Sequence, residues 1–460
     1  MGNVEYKKFI EKKTHLKKHS GFKYIFMPDF LYDFQKYLIE WSILRGRAAI
    51  FADCGLGKTP MQLVWAENIA RKENKRVLIL TPLAVSLQTV REGEKFGIEC
   101  YRSINGKLKG KIIVTNYEKI QYFNSKDFIG VVCDESSILK NYNGARRGLI
   151  TEFMKKIPYR LLCTATAAPN DYTELGTSSE ALSVMGYIDM LNRFYKNTQS
   201  NCALKSHYRK NGEQAPHWMF KKHAENHFWR WVASWAKAIR KPSDIGFSND
   251  GFNLPRLIEK ETIIKCSRPL AGRLFVEPAF TLQEQRAERR ATIQERCETV
   301  AAKLNSNSIA IAWCHLNDEG DLLERLIPDS KQVKGGMSDD KKEAILSDFS
   351  AGNIRVLITK PKISGFGLNW QHCSHMSFFP SHSYEQYYQG VRRCWRFGQK
   401  NEVVVDIITT EGEFRVLKNL QRKAEKADKM FTKLIKFMNK SLHINTDLNY
   451  NKPMEVPVWL

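Results

Sequence analysis

The sequence predicts an α/β protein of two domains, each built on a parallel β-sheet. The first observation is length, because 460 residues are too many for one core and a prior of about 150 residues per domain gives two or three domains. The second is that short β-branched runs alternate with stretches of helical character. The third is that these runs form two sets, so we expect one sheet from each set.

The runs of both sets are almost continuously apolar, which is typical of parallel strands covered by helices on both faces. The first set lies at residues 48–51, 77–80, 112–115, 131–134 and 161–164. The second set lies at residues 309–313, 356–359, 376–379 and 403–408. The predicted organisation is a basic N-terminal extension, a first α/β domain, a helical insertion or bridge, a second α/β domain, and a basic helix with a tail: 1–25, 26–180, 181–255, 256–411 and 412–460.

The inserted segment is basic and aromatic. It contains four of the ten tryptophans: Trp218, Trp229, Trp231 and Trp235. Their partly helical spacing fits either a small packed core or a platform on which bases stack, and the sequence leaves both interpretations open.

The last predicted helix, at about residues 413–440, is amphipathic. Apolar residues from Leu417 to Met438 recur at alternating steps of three and four, and a basic stripe from Arg415 to Lys440 is shifted by two positions. A shift of two residues is about 200° around a helix, so the two stripes lie on opposite faces. The basic stripe fits a nucleic-acid contact, a solvated face or a strand of a short coiled coil.

The composition is strongly basic. Lys plus Arg is 72 and Asp plus Glu is 49, which gives a net charge of +23 and favours a polyanionic partner. No apolar run approaches the roughly 18 to 20 residues that span a bilayer, and the first residues lack a signal peptide's apolar stretch. We therefore expect a soluble, intracellular protein. The ten cysteines form no C-x-x-C pair, so we expect buried thiols rather than a zinc site or disulfide framework.

A phosphate-binding loop follows the first predicted strand. It contains Ala52, Gly55, Gly57, Lys58 and Thr59, with alanine where the first glycine of this motif usually stands. Glycines let backbone N–H groups curl around phosphates, and the next helix adds its N-terminal partial charge. Lysine then neutralises β- and γ-phosphate oxygens, and the threonine hydroxyl ligates magnesium. The sequence therefore predicts an ATP and Mg²⁺ site.

Two acidic residues, Asp134 and Glu135, end the strand at residues 131–134. Acidic residues at the carboxyl end of a strand beside the phosphate loop can reach the magnesium ion. We expect Asp134 to hold the metal through water and Glu135 to orient and deprotonate the attacking water.

Two arginines in the second half complete the predicted site. Arg393 and Arg396 are three residues apart and follow Gln389 on one predicted helix. Guanidinium groups that reach the γ-phosphate stabilise transition-state charge.

The order of these motifs resembles superfamily two helicases. The fragments FQ, AxxGxGKT, LTP, TNYE, DESS, TAT, GFGLN and QxxxRxxRxGQ extend over about residues 30–410, and they are similar to the Swi/Snf-type branch and its compact bacteriophage-encoded DEAD/DEAH-like relatives. The resemblance implies two RecA-like domains in tandem with ATP sandwiched between them.

The resemblance also assigns roles in the first domain. It implies that Gln35 contacts adenine, and that Thr164 and Thr166 couple hydrolysis to strand movement. The residues implied to touch the nucleic-acid backbone are Thr81, Pro82, Thr115, Asn116 and Tyr117.

In the second domain the resemblance implies a loop near both ATP and the strand, a sensor glutamine and two arginine fingers. These residues are Gly365, Gly367 and Asn369 for the loop, Gln389 for the sensor, and Arg393 and Arg396 for the fingers. Two departures stand out. Relatives have T-x-T-P where this chain has Thr166 and Ala167, so coupling can differ, and Ser364 is the nearest match for an expected small hydroxyl residue.

The sequence thus predicts an ATP-dependent DNA helicase or translocase, which is a nucleic-acid-dependent ATPase using ATP and Mg²⁺. The expected partner is single- or double-stranded DNA, or RNA, with no membrane contact. We expect a monomer in the cytoplasm, that of the host if the chain is phage-encoded. Two alternatives stay open: a duplex translocase that remodels without unwinding, and a nucleotide-gated nucleic-acid clamp with little turnover.

Overall fold

The structure is a computed structural model. It describes residues 21–82, 85–140, 144–169, 171–197, 218–221, 223–265, 282–305, 308–364 and 368–446. The chain forms two compact units. The first contains Met1–Ser248 together with Ala427–Leu460, and the second contains Asn249–Lys426.

The first unit is built on a seven-stranded sheet with strand order β3-β4-β2-β5-β6-β1-β9. Every neighbouring pair in this sheet is parallel. Its strands are β1 (Arg47–Ala52), β2 (Arg76–Thr81), β3 (Tyr101–Arg102), β4 (Ile112–Asn116), β5 (Phe128–Asp134), β6 (Tyr159–Cys163) and β9 (Ala236–Ile239). A separate antiparallel pair is formed by β7 (Tyr195–Asn197) and β8 (Trp218–Phe220).

Helices cover this sheet because its strands are apolar on both faces. The first unit contains α1 (Asp33–Arg45), α2 (Lys58–Glu73), α3 (Ser86–Lys95), α4 (Ala145–Lys155), α5 (Glu174–Leu182), α6 (Tyr187–Phe194) and α7 (Ala224–Trp235). Short 3₁₀ helices occur at Tyr117–Tyr122, Ser125–Asp127, Ser136–Leu139 and Pro242–Ile245. Helix α2 lies between Gly57 and Asn74, and both flanking residues adopt the left-handed conformation, which at Asn74 terminates the helix.

The second unit is built on a six-stranded parallel sheet with order β10-β15-β14-β11-β13-β12. Its strands are β10 (Leu257–Ile264), β11 (Ala310–Trp313), β12 (Ser330–Val333), β13 (Val356–Thr359), β14 (His375–Phe378) and β15 (Val403–Thr410). Its helices are α8 (Leu282–Ala291), α9 (Ile293–Lys303), α10 (Asn317–Leu326), α11 (Asp339–Ser350), α12 (Pro361–Ser364) and α13 (Tyr384–Val391), with a 3₁₀ turn at Glu411–Glu413.

Two buried clusters flank the second sheet. Alternate residues of β11 divide between them, with Ile311 and Trp313 in one cluster and Ala310 and Ala312 in the other. Side chains alternate between the two faces of a strand, so both faces of this sheet are packed against apolar side chains. All nine predicted strands are present, and the predicted pair of parallel-sheet α/β domains is confirmed.

The last helix, α14 (Phe414–Thr446), is amphipathic as predicted. Its apolar residues Leu417, Leu420, Leu434 and Met438 are buried. The helix begins in the second unit, and its residues from Ala427 onward belong to the first unit. No helix in the described part of the chain is both long and apolar enough to cross a membrane.

Three contacts attach the end of α14 to the first unit. The backbone N–H of Ala238 contacts the Met438 sulfur at 3.0 Å, and Lys433 forms an ion pair with Glu225. Arg240 pairs with Asp428. The predicted basic stripe is therefore partly engaged within the unit, because Lys433 is already paired, while Lys440 lies outside the side chains that the structure describes.

The aromatic residues of the predicted insertion form a core. Trp229, Trp235 and Phe228 are fully buried, and Trp229 packs edge-on against Tyr172 with ring centroids 5.1 Å apart. A stacking platform is therefore wrong for Trp229 and Trp235, because a buried ring cannot receive a base. The segment is also not only helical, since its strand β9 pairs with β1 at the edge of the first sheet.

Cysteines among the described residues have buried thiols, as the sequence predicts for most of them. They are Cys54, Cys100, Cys133, Cys163, Cys297, Cys314, Cys373 and Cys394. Cys202 and Cys266 lie outside the described residues.

Candidate nucleotide site

The phosphate loop connects β1 to α2 at the carboxyl edge of the first sheet. Lys58 folds back over the loop, and its Nζ donates to the backbone oxygens of Ala52 at 3.0 Å and Asp53 at 3.4 Å. Gly57 has a φ of 76°, and a β-carbon there would lie 2.3 Å from Gln35 Nε2. Glycine is therefore required at this position by both conformation and space.

The alanine at the start of the loop is explained by its place in the fold. Ala52 is the last residue of β1 and is fully buried. It is not among the described residues with positive φ, so a glycine is unnecessary there. The unusual first residue of the motif therefore leaves the loop conformation intact.

Gln35 lies against the loop in a buried position. Its Oε1 accepts from the Tyr32 backbone N–H at 3.1 Å, and its Nε2 donates to the Leu56 backbone oxygen at 2.9 Å. The side chain thus caps α1 and supports the phosphate loop at once. Its implied contact with adenine stays a prediction.

Strand β9 also supports the phosphate loop, and the sequence did not indicate this role. The backbone N–H of Asp53 donates to the Ile239 backbone oxygen at 3.0 Å, which continues the pairing of β1 with β9 into the loop. The Asp53 carboxylate then accepts from the Cys54 backbone N–H at 2.6 Å. The end of the aromatic segment therefore fixes the entry to the phosphate loop.

Asp134 ends β5 at the same edge of the sheet. Its Oδ1 accepts from Gln62 Nε2 at 2.7 Å, and the Tyr117 hydroxyl donates to its backbone oxygen. Burial raises the pKa of the Asp134 carboxyl above its usual value, while the Gln62 hydrogen bond and the positive charge of Lys58 oppose this rise. Since Gln62 lies on the helix that begins with Lys58, its hydrogen bond to Asp134 brings together the two motifs predicted to hold the nucleotide.

The residues present fit a magnesium ion better than zinc. Magnesium is held by one or two protein oxygens together with water and phosphate, and Thr59 and Asp134 supply such oxygens. Within the described ranges, no group of three or more His, Cys, Asp or Glu side chains could hold a metal. A magnesium ion carried by the nucleotide is compatible with these residues.

Glu135 stands in a strained conformation next to Asp134. Its φ is 55°, a left-handed value that a non-glycine residue adopts only when its surroundings enforce it. Thr164 Oγ1 donates to Glu135 Oε1 at 3.4 Å and accepts from the Thr166 backbone N–H at 3.0 Å. The structure therefore joins the predicted base to both predicted coupling residues.

The residues predicted to touch nucleic acid are mostly internal. Thr81, Thr115, Asn116 and Tyr117 are each 2% exposed or less, whereas Pro82 is partly exposed. Thr81 Oγ1 donates to the Thr115 backbone oxygen at 3.4 Å. The implied contact of these five residues with the nucleic-acid backbone stays a prediction.

The predicted arginines of the second unit differ in their surroundings. Arg393 is buried, and it donates to the backbone oxygens of Gln389 and Leu368, each at 3.0 Å. Arg396 is partly exposed and contacts the Asn369 side chain. Arg396 is therefore the better candidate for a group that reaches a phosphate.

The loop before these arginines is only partly described. Gly365 and Gly367, which the resemblance placed near ATP, lie outside the described residues. Ser364 is fully buried, and its hydroxyl pairs with that of Thr359 at 3.0 Å. Its hydroxyl therefore holds α12 to the end of β13.

Comparison with known families gives a match within the second unit. Residues 296–398 match the family described as the helicase conserved C-terminal domain. The match includes Gln389, Arg393 and Arg396, and it supports a nucleic-acid helicase or ATPase.

Comparison with solved structures extends the likeness to both units. The chain is similar to S. cerevisiae Dbp5 bound to RNA and ADP BeF3, with 12% sequence identity and a TM-score of 0.50. The likeness covers 89% of this chain and 98% of that chain, and at this identity it concerns the fold. It agrees with the predicted tandem RecA-like domains. No match is found among curated protein sequences.

Proposed function

We propose that this protein is a superfamily two helicase of the Swi/Snf-type branch, which hydrolyses ATP to move along DNA. The observation that carries the proposal is the joining of Lys58, Asp134 and Glu135 at one edge of the first sheet. Parallel strands bring their carboxyl ends to one edge, where α/β proteins bind ligands. The helicase family match of the second unit supports the same class.

The residues of the first unit divide the work of hydrolysis. Lys58 neutralises phosphate charge, and the backbone N–H groups of the loop cradle the phosphates. Thr59 and Asp134 would hold magnesium, which when bound neutralises charge on the β- and γ-phosphate oxygens. Glu135 orients the attacking water and accepts its proton.

Arg396 of the second unit completes the proposed site. A guanidinium that stabilises charge on the γ-phosphate makes turnover depend on both units, which is the requirement for a motor. Arg393 serves the same site indirectly, because it holds the backbone from which Leu368 and Asn369 extend.

DNA is the proposed partner. The net charge of +23 favours a polyanion, and backbone contacts at the ends of β2 and β4 would tolerate every base sequence. The RNA in the Dbp5 structure makes RNA the first alternative to test.

The test measures ATP hydrolysis with single-stranded DNA, duplex DNA, forked DNA and RNA in parallel, and strand separation on the fork. We expect DNA to stimulate turnover, and Glu135→Gln to bind ATP and DNA but to lose turnover. A fork that stimulates hydrolysis without opening identifies a duplex translocase. Binding without stimulated turnover identifies a nucleotide-gated clamp and overturns the motor.

A further inference from the structure

Gln62 lies inside the first unit next to the candidate metal ligand. It is on α2 and fully buried, and its Nε2 donates to Asp134 Oδ1 at 2.7 Å. Its Oε1 has no hydrogen-bond partner among the described residues. A buried acceptor without a partner is destabilising, and an apolar residue would fill this position without that cost. Packing alone therefore does not account for a glutamine at this position.

The position of Gln62 connects two parts of the nucleotide site. It follows Lys58 by four residues, so both side chains lie on the same face of α2. Lys58 turns toward the phosphate loop, and Gln62 reaches across to the end of β5. Helix α2 thus carries a phosphate ligand on its first turn and the partner of Asp134 on the next.

The hydrogen bond from Gln62 is suited to orienting a carboxylate without neutralising it. An amide is uncharged, so Asp134 keeps its full negative charge for a cation, whereas a lysine or arginine at the same place would cancel it. The backbone of Asp134 is held separately, since the Tyr117 hydroxyl donates to its backbone oxygen. The hydrogen bond from Gln62 therefore restricts rotation of the Asp134 carboxylate.

We propose that Gln62 is a positioning residue that orients the Asp134 carboxylate toward the magnesium ion of the bound nucleotide. The inference rests on the proposed nucleotide site. Residues that orient metal ligands typically contribute about tenfold to hundredfold in metal affinity or activity. Loss of Gln62 should therefore weaken the part of nucleotide binding that depends on magnesium.

The test compares binding of a fluorescent ATP analogue to the full chain in magnesium and in EDTA. We expect Gln62→Met to bind the analogue in EDTA as the wild type does, but to lose about tenfold or more of the affinity that magnesium adds. Gln62→Asn keeps the amide but is one methylene shorter, and it should show the same loss.

Asn68→Leu is the matched control. Asn68 is another fully buried amide of α2, and it bonds to the backbone of Phe26 and Val64 rather than to Asp134. This variant should lower the melting temperature and leave the magnesium dependence unchanged.

Each contrary outcome has its own meaning. An unchanged magnesium effect in both Gln62 variants overturns the positioning role, and so does an equal loss in magnesium and EDTA, which would indicate a general support of the loop. Absence of nucleotide binding by the wild type overturns the proposed function itself.

Discussion

Replacing Arg396 with alanine should slow ATP turnover without destabilising the second unit. Replacing Arg393 with alanine should instead destabilise the second unit. Arg396 is partly exposed, and its contacts include the Leu368 backbone oxygen at 3.5 Å and the Asn369 side chain. Arg393 is buried, with two hydrogen bonds of 3.0 Å to backbone oxygens. We therefore expect a chemical role for Arg396 and a structural role for Arg393.

The expected magnitudes follow from these surroundings. Alanine at position 393 removes the donor to the buried Gln389 backbone oxygen and leaves the Leu368 oxygen only its 3.5 Å contact with Arg396, so we expect a loss of about 1–3 kcal/mol. For a unit the size of Asn249–Lys426, each kcal/mol lowers the melting temperature by about 2–4 °C. Alanine at position 396 should change the free energy of unfolding by about 0.5 kcal/mol or less. Removal of an arginine finger typically lowers turnover by about 10³-fold or more.

The assay combines scanning calorimetry of the full chain with DNA-stimulated ATP hydrolysis and binding of an ATP analogue. Arg396→Ala should keep the wild-type melting profile and analogue affinity while losing turnover. Hydrolysis by Arg396→Ala within about twofold of the wild type would contradict the role of Arg396, and a wild-type melting temperature of Arg393→Ala would contradict the role of Arg393. Arg393→Lys serves as a control, because it restores one donor and should recover part of the stability.

Three further variants test the first unit. Lys58→Ala should abolish binding of the ATP analogue but leave DNA affinity nearly unchanged, and loss of both in a filter-binding assay would indicate that the loop is needed for folding. Because burial raises the pKa of Asp134 in the folded state, its ionisation opposes folding as pH rises above about 4. In EDTA, the Asp134→Asn variant should therefore be more stable than the wild type at pH 7 and equally stable below pH 4. A thermal midpoint at pH 7 equal to that of the wild type contradicts this expectation. Replacing the exposed Lys429 and Lys436 with glutamine should lower the slope of log affinity for DNA against log salt by about 1 per lysine. The control Lys433→Gln loses the ion pair with Glu225 and should lower stability instead. A slope identical to that of the wild type rejects contact between the α14 lysines and DNA.

The strands that the sequence predicted are those whose apolar runs are uninterrupted. Strand β10 was missed because three charged residues lie within it and remain exposed at the sheet edge. Strand β9 was missed because Lys237 interrupts a run of four residues. Yet Lys237 is buried with its ammonium over the ring of Trp41, and burial lowers its pKa to about 8. From the sequence alone a lysine predicts a solvated position, because its aromatic partner on another helix cannot be read from the neighbouring residues.

The site was predictable where chemistry follows local sequence. Lys58, Asp134 and Glu135 could be predicted because a glycine-rich loop and a strand end fix their surroundings over a few residues. The hydrogen bond from Tyr117 to Asp134 was not predicted, since it depends on packing between the ends of β4 and β5, which no spacing in the sequence shows. Gln62 was missed, although its position four residues after Lys58 on the same helix face was an available signal.

The division of the chain has a consequence for its synthesis. The second unit is complete once residue 426 has left the ribosome, whereas the first unit still lacks the final segment that carries Asp428, Lys433 and Met438. The phosphate loop thus precedes the whole second unit in the chain, yet it belongs to a unit that also needs residues that follow the second unit. In nascent chains halted where residue 426 has just left the ribosome, the second unit should resist proteolysis while the first unit remains sensitive.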